Sequence, residues 1–228
     1  MTLEDTLHRA VRARCSEPAA RWFADALQTA ARGSDQQLLA LYTAAARQVG
    51  TAPLDATESR TAAPGVNATA LAHWTVADAA RTSLLLARAT TADPAAFAAL
   101  AIQHFEQGDT GEQISWLRGV GFLPQPERFL PLVVDACRTN IVPLFEAVAC
   151  ENAFPARYFP EHNLNHLVMK ALFNSVRLAR IVGLGPRLNA ELARMATDFA
   201  AERRAAGRPV PLDIDLALSA TRHEGTPV

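Results

Sequence analysis

The residues best suited to do chemistry lie between Arg138 and Lys170. Glu146 is the only charge in the run Ile141 to Ala149, among Ile141, Val142, Leu144, Phe145, Ala147 and Val148. A helix that is apolar on all sides is a buried helix, and a buried carboxylate must be paired or protonated. Arg138, Arg157 and Arg177 are the neighbours in sequence that can pair with it. Glu146 therefore reads two ways. It is half of an ion pair bracing two helices, or it is a carboxylate aimed into a pocket. In the second case it serves as acid or base, and Arg138, Arg157 and Lys170 hold an anionic, polar or phosphorylated intermediate.

The segment from Cys150 to His162 combines Glu151, Asn152 and Arg157 with Phe154, Tyr158, Phe159, Pro155 and Pro160. Aromatic side chains need an apolar surface to bury against, so this connection is predicted to be ordered. It either lines a binding surface or covers the core. The helix that follows, from about Glu161 to Ser175, places Leu164, Leu167, Val168 and Ala171 on one face. His162, Asn163, His166, Met169, Lys170 and Phe173 project to the other side. That mixed face suits a groove holding a small molecule or a partner helix.

Two further chemistries compete for these residues. His162 and His166 have the i, i+4 spacing of helical metal ligands, with Glu161 as the one nearby third ligand and no H-E-x-x-H pattern. No metal is expected. Lys170 is the only lysine in the chain. It reads as a Schiff-base or phosphate lysine, or as a side chain that buries its stem and solvates its tip. Nucleophile elbows, P-loops and dinucleotide fingerprints are absent, and Gly183-Leu184-Gly185-Pro186 reads as a helix stop rather than a phosphate cradle. Cys15, Cys137 and Cys150 show no C-x-x-C spacing, which points to inert thiols rather than a disulfide framework or a zinc knuckle. No cofactor is implied.

The elements that must position these residues are helices. Thr2 with Asp5, Ser34 with Gln37, and Thr75 with Asp78 have capping-box spacing. Ser16-Glu17-Pro18 and Asp93-Pro94 open helices with proline in the first turn. Gly33, Gly50 and Gly108 close them. A helix from Asp109 stops near Gly119 and Gly121, and Pro126 begins one that runs to about Arg138. Asn140 is read as the cap of the Glu146 helix. A later helix carries Leu188, Leu192, Met195 and Phe199 on one stripe and ends at Gly207, with Arg203, Arg204 and Arg208 near its C-terminus, where cations are favoured. A short helix follows Asp213. Alternating β-branched runs are missing. Thr51 to Thr69, rich in Ala, Thr and Pro, shows no period.

The predicted fold class is all-α, built of antiparallel helix pairs. Short Gly/Pro turns from Pro94 to Ala149 fit a HEAT-like α-solenoid, and the lack of a fixed repeat fits an irregular bundle. The expected organisation is a single domain over residues 1–228. A flexible connection at 51–70 separates N-terminal helices (1–50) from the main body (71–228). With 228 residues, half of them hydrophobic, the chain can bury a sizeable core. A formal net charge of −1 argues against a nucleic-acid partner held by bulk electrostatics. No signal peptide or run of apolar residues long enough to span a bilayer is found, so a cytoplasmic location is expected.

Arg138 to Ala147 (RTNIVPLFEA) resembles the EboA-domain family, as do Glu151-Asn152 with Phe154-Pro155-Ala156-Arg157. Lys170-Ala171-Leu172-Phe173, Arg180 to Leu184, Glu191 to Met195 and Ala206 to Val210 are similar to it as well. The likeness runs from about Trp74 to Pro211. It implies a bacterial protein of secondary metabolism, taking part in the traffic or maturation of a metabolite made in the cytoplasm. The implied partners are that metabolite or companion proteins of the same pathway. It carries over no catalytic residues. It marks the matched segments, with Arg138, Asn140, Glu146, Glu151, Asn152 and Arg157, as candidates for ligand or partner binding, to which the mixed face of the next helix adds His162, His166 and Lys170. Two functions follow as expectations: a non-catalytic binding or adaptor module, or an enzyme of unfamiliar type using Glu146. The His and Cys spacings close no metal site, so elemental analysis of the purified protein should find no stoichiometric zinc. One zinc per chain overturns that expectation.

Overall fold

The computed structural model describes residues 2–54, 71 and 73–219. Contacts divide the chain into two compact units, residues 1–136 and 137–228. That division falls at residue 136, whereas the sequence reading placed one domain over the whole chain with its flexible connection at 51–70. Most of that connection lies outside the described residues. Residues 51–54 are held by backbone pairing, with Leu54 N donating to Trp74 O and Val76 N to Ala52 O. Apart from this isolated bridge, the described residues are helices and turns.

The first unit contains α1 (Leu3–Arg14), α2 (Glu17–Arg32), α3 (Asp35–Val49), α4 (Val76–Ala89), α5 (Pro94–Gln107), α6 (Thr110–Gly119) and α7 (Leu130–Ala136). The capping boxes at Thr2/Asp5, Ser34/Gln37, Thr75/Asp78 and Asp109/Glu112 are all formed. Each satisfies two backbone N–H groups that a helix start leaves open. The stretch from Pro126 differs from the expected single helix: Pro126–Phe129 is a 3₁₀ turn entered from Gln125 in the left-handed region, and α7 ends at Ala136.

Nearly every residue of α4 is buried, because α1, α2, α3 and α6 all pack against it. A helix so enclosed has contacts far along the chain, as in a bundle and unlike a solenoid, where each repeat meets only its neighbours. Its approach to α6 is close: a Cβ on Gly119 would lie 2.5 Å from Thr82 Oγ1. Yet α4 carries Asp78, Arg81 and Arg88 into the interior. Asp78 accepts from Thr75 N (2.7 Å), Ser115 Oγ (2.6 Å) and Arg118 Nη1 (2.6 Å). Arg81 Nε donates to Tyr42 O (3.0 Å) and its Nη1 to Ser115 Oγ (3.1 Å), while Nη2 lies 3.8 Å from Glu112 Oε1. Tyr42 OH donates to Glu112 O, and its ring stands edge-on to the buried His104.

The second unit contains α8 (Val142–Ala149), α9 (Phe154–Tyr158), α10 (Glu161–Phe173), α11 (Ala190–Ala205) and α12 (Ile214–Leu218), with 3₁₀ turns at Leu178–Arg180 and Gly185–Arg187. α11 packs on α10 and α12 packs on α11. The core stripe of α11 is Leu192, Ala193, Ala196 and Ala200, and Leu188 lies outside the helix. The run at Gly183 is a turn between two 3₁₀ segments, not the expected helix stop. Gly183 has φ +75°, and a Cβ there would meet the Ala156 Cβ at 2.8 Å.

Burial lowers the pKa of His104 in the first unit, against the opposing pull of the Leu100 carbonyl and of Asp35 and Glu112; Arg88 adds to the lowering. His8 is lowered by the same cause. The folded protein therefore favours the neutral rings, and their contribution is complete above the unfolded value near 6.5. It is lost as pH falls below that value, where the unfolded chain takes up protons that the fold resists. Thermal melts should show Tm falling from pH 7 to pH 5. His104→Asn should flatten that slope and His8→Asn the remainder; an unchanged slope in the double variant defeats the assignment.

Candidate functional site

Of the predicted site residues, Glu146, Glu151 and Lys170 take part in two clamps of the second unit. The first is built on Arg180. Its Nε and Nη2 donate to Glu151 Oε1 and Oε2 at 2.9 and 3.0 Å, and its Nη1 lies 3.1 Å from Glu146 Oε2. The bidentate pair is the strong form of arginine–carboxylate contact. It is reinforced by the backbone, where Glu151 N donates to Arg180 O at 2.9 Å while Glu151 holds φ +50°. The bond to Glu151 raises the Arg180 pKa, with Glu146 contributing, so this side chain stays charged. Burial pushes the adjacent Cys150 thiol up to about 12.

This geometry corrects the sequence reading of Glu146. Its partner is Arg180, not Arg138, Arg157 or Arg177. It is not sealed between helices, since its side chain keeps 33% exposure against 14% for Glu151. α8 is not buried all round either: Ile141 and Val142, in and before its first turn, are 46% and 42% exposed. Asn140 is exposed and does not cap α8; Ile141 is the N-cap residue, and its N–H donates to Thr139 Oγ1 at 3.1 Å.

The second clamp is Lys170. Its ammonium donates to Cys137 O and Thr139 O, both at 2.6 Å, and stands 5.3 Å from the centre of the Phe145 ring. One cation thus fixes the approach to α8 from a position on α10. Burial pushes the Cys137 thiol up to about 12, with Lys170 opposing.

The aromatic connection is ordered as its composition requires. Phe154 and Phe159 are buried, and Asn152 secures the turn into α9. Asn152 Nδ2 donates to Ala147 O, and its Oδ1 accepts from Phe154 N at 2.9 Å. Arg157 is exposed at the surface, as is Arg138. His162 and His166 are exposed on the outer side of α10 with Phe173, while Asn163, Met169 and Lys170 are half-buried there. Among the described residues no group of three His, Cys, Asp or Glu side chains is arranged to hold a metal. No helix there is long and apolar enough to cross a membrane.

Several residues that organise this unit were missed from the sequence. Arg187 donates through both Nη atoms, to Ala156 O and to Phe159 O (2.7 Å for the latter), holding the middle of α9 and the residue that follows it. Asn165 and Asn189 exchange reciprocal amide bonds at 3.1 and 3.0 Å, and Asn189 also caps α11. Asn165 did carry a signal: it lies beside Leu164 and Val168 on the buried stripe, where a polar side chain needs a partner. Arg180 carried none, since its two acceptors are distant in sequence.

Comparison with known proteins adds one finding. The family model described as metabolite traffic protein EboA matches residues 3–218, almost the whole chain. No curated protein and no solved structure gives a significant match.

The two carboxylates on Arg180 should differ in weight. Glu146→Ala removes a partly solvated contact and leaves Arg180 its bidentate partner, a loss of about 1 kcal/mol in urea unfolding. Glu151→Ala removes two charge-assisted bonds at a better buried position, a loss of about 2–3 kcal/mol. The reverse order would make Glu146 the anchor.

Proposed function

The chain belongs to the EboA family of metabolite traffic proteins, and from that premise we propose that it acts as a non-catalytic binding or adaptor module. It presents the outer side of α10 to a metabolite or to a companion protein during traffic or maturation of a compound made in the cytoplasm. The observation that carries this reading is the state of Lys170. The one lysine is directed at two backbone carbonyls instead of standing ready as a nucleophile or phosphate ligand. Next to it on the same helix side, Phe173 is 70% exposed. A large aromatic side chain left in water beside a fixed cation is the kind of anchor that binding surfaces use.

A second reading makes the chain an enzyme with Glu146 as acid or base. The solvent exposure of that carboxylate, beside Arg180, favours it. Incubating the purified protein with a metabolite extract from cells lacking it, followed by mass spectrometry of bound and unbound fractions, separates the two. Retention of an unchanged compound, weakened about tenfold by Phe173→Ala, supports the binding module. Turnover of a compound, abolished by Glu146→Gln with the helical circular dichroism intact, replaces it with the enzyme.

A further inference from the structure

Among the described residues, Thr82 Oγ1, Arg88 Nε, His104 Nε2, Glu112 Oε1 and Trp116 Nε1 are buried side-chain atoms without a hydrogen-bond partner, and all of them belong to α4, α5 and α6. Glu112 Oε1 is the carboxylate oxygen among them, and a stranded charged group costs more than a neutral one. Glu112 is 5% exposed, so bulk water does not solvate it. Its other oxygen, Oε2, accepts from Asp109 N at 3.0 Å in the capping box of α6.

Arg81 Nη2, on α4, stands 3.8 Å from Glu112 Oε1. An N–H···O bond closes at about 3.2 Å or less, and both side chains are held back from that approach. Arg81 donates through Nε to Tyr42 O at 3.0 Å and through Nη1 to Ser115 Oγ at 3.1 Å. Glu112 is held by its cap bond and by the helix it starts. Tyr42 borders the pair from α3, with its ring 5.4 Å from the Arg81 guanidinium carbon and its hydroxyl donating to Glu112 O. A bridging molecule must therefore accept from Nη2 and donate to Oε1. The guanidinium repels a cation and the carboxylate repels an anion, so the bridge is neutral. A gap of 3.8 Å is spanned by a single oxygen placed about 2.9 Å from each atom. Water meets all of these conditions, and buried waters in proteins satisfy polar groups of this kind. We propose that Arg81 and Glu112 hold one ordered water molecule inside the first unit, joining α4 to the start of α6.

The test is a high-resolution crystal structure of the full chain, paired with nuclear magnetic resonance in solution. The crystal should show one water within about 3.2 Å of both Arg81 Nη2 and Glu112 Oε1. In solution the Arg81 Nε–H, kept in place by Tyr42 O, should give a rotating-frame Overhauser cross-peak to water, opposite in sign to proton exchange. Glu112→Met removes both acceptor oxygens at similar length and should abolish that cross-peak, with helical circular dichroism unchanged. Arg81 Nη2 and Glu112 Oε1 in direct contact in the crystal overturn the proposal, as does a crystal without water between them. A cross-peak that survives Glu112→Met overturns it as well. If that variant does not fold, the crystal structure of the unaltered chain decides alone.

Discussion

A helix that carries Asp78, Arg81 and Arg88 cannot occupy the middle of a bundle unless each charge meets a partner. The first unit is organised by that constraint. α4 is enclosed by four helices, and its ionic groups reach out to them: Asp78 to Ser115 and Arg118 on α6, Arg81 to the Tyr42 carbonyl on α3. Arg88 reaches the carbonyl of Gly33, the residue that ends α2. The packing of α2, α3 and α6 about α4 is thus specified by hydrogen bonds of fixed direction as well as by apolar contact. Ala77, Ala79 and Ala80 keep the helix slim enough to be surrounded.

The same device recurs in the second unit at its turns. Lys170 donates to Cys137 O and Thr139 O, Arg187 to Ala156 O and Phe159 O, and Arg203 to Pro209 O. Helix ends and turns leave carbonyls without partners, and here long cationic side chains supply the donors. The arginine-rich composition therefore has a structural use independent of any ligand. It also narrows the search for function, because a cation already directed at backbone carbonyls is a poor candidate for substrate chemistry.

How much of this could be read in advance depended on the range of each interaction. The caps at Thr2, Ser34, Thr75 and Asp109 were legible because their partners lie three residues away. The burial of Phe154 and Phe159 was legible from hydrophobicity alone. Glu146 was assigned an arginine correctly but the wrong one, because Arg180 is brought to it by a turn at Glu151 in the left-handed region that no local pattern announces. Asn140 looked like a cap by residue type, but Ile141 holds the N-cap position without a side-chain cap bond, and the Thr139 hydroxyl accepts from the Ile141 N–H just before the helix begins. The polar network of α4 went unread although its signal was present: Asp78 and Arg81 stand among Val76, Ala77, Ala79, Ala80 and Leu84, on a helix with no solvated face to hold them.

The single lysine in an arginine-rich chain follows from the geometry at its site. Two carbonyl oxygens converge on one nitrogen, each at 2.6 Å, above the face of the Phe145 ring. A compact ammonium can donate two protons from one atom in different directions and still meet the ring's negative face. A guanidinium distributes its protons over a planar fork and suits acceptors that are side by side, as at Glu151, or spread around it, as at Arg81. Arginine at position 170 would set a planar group where a point donor is required, and the approach to α8 would have to move to receive it. That approach carries Ile141 and Val142, and the same lysine lies three residues before Phe173. The two segments that carry the exposed Ile141, Val142 and Phe173 are thus joined by a contact that is itself partly buried, the interior chemistry of one amine.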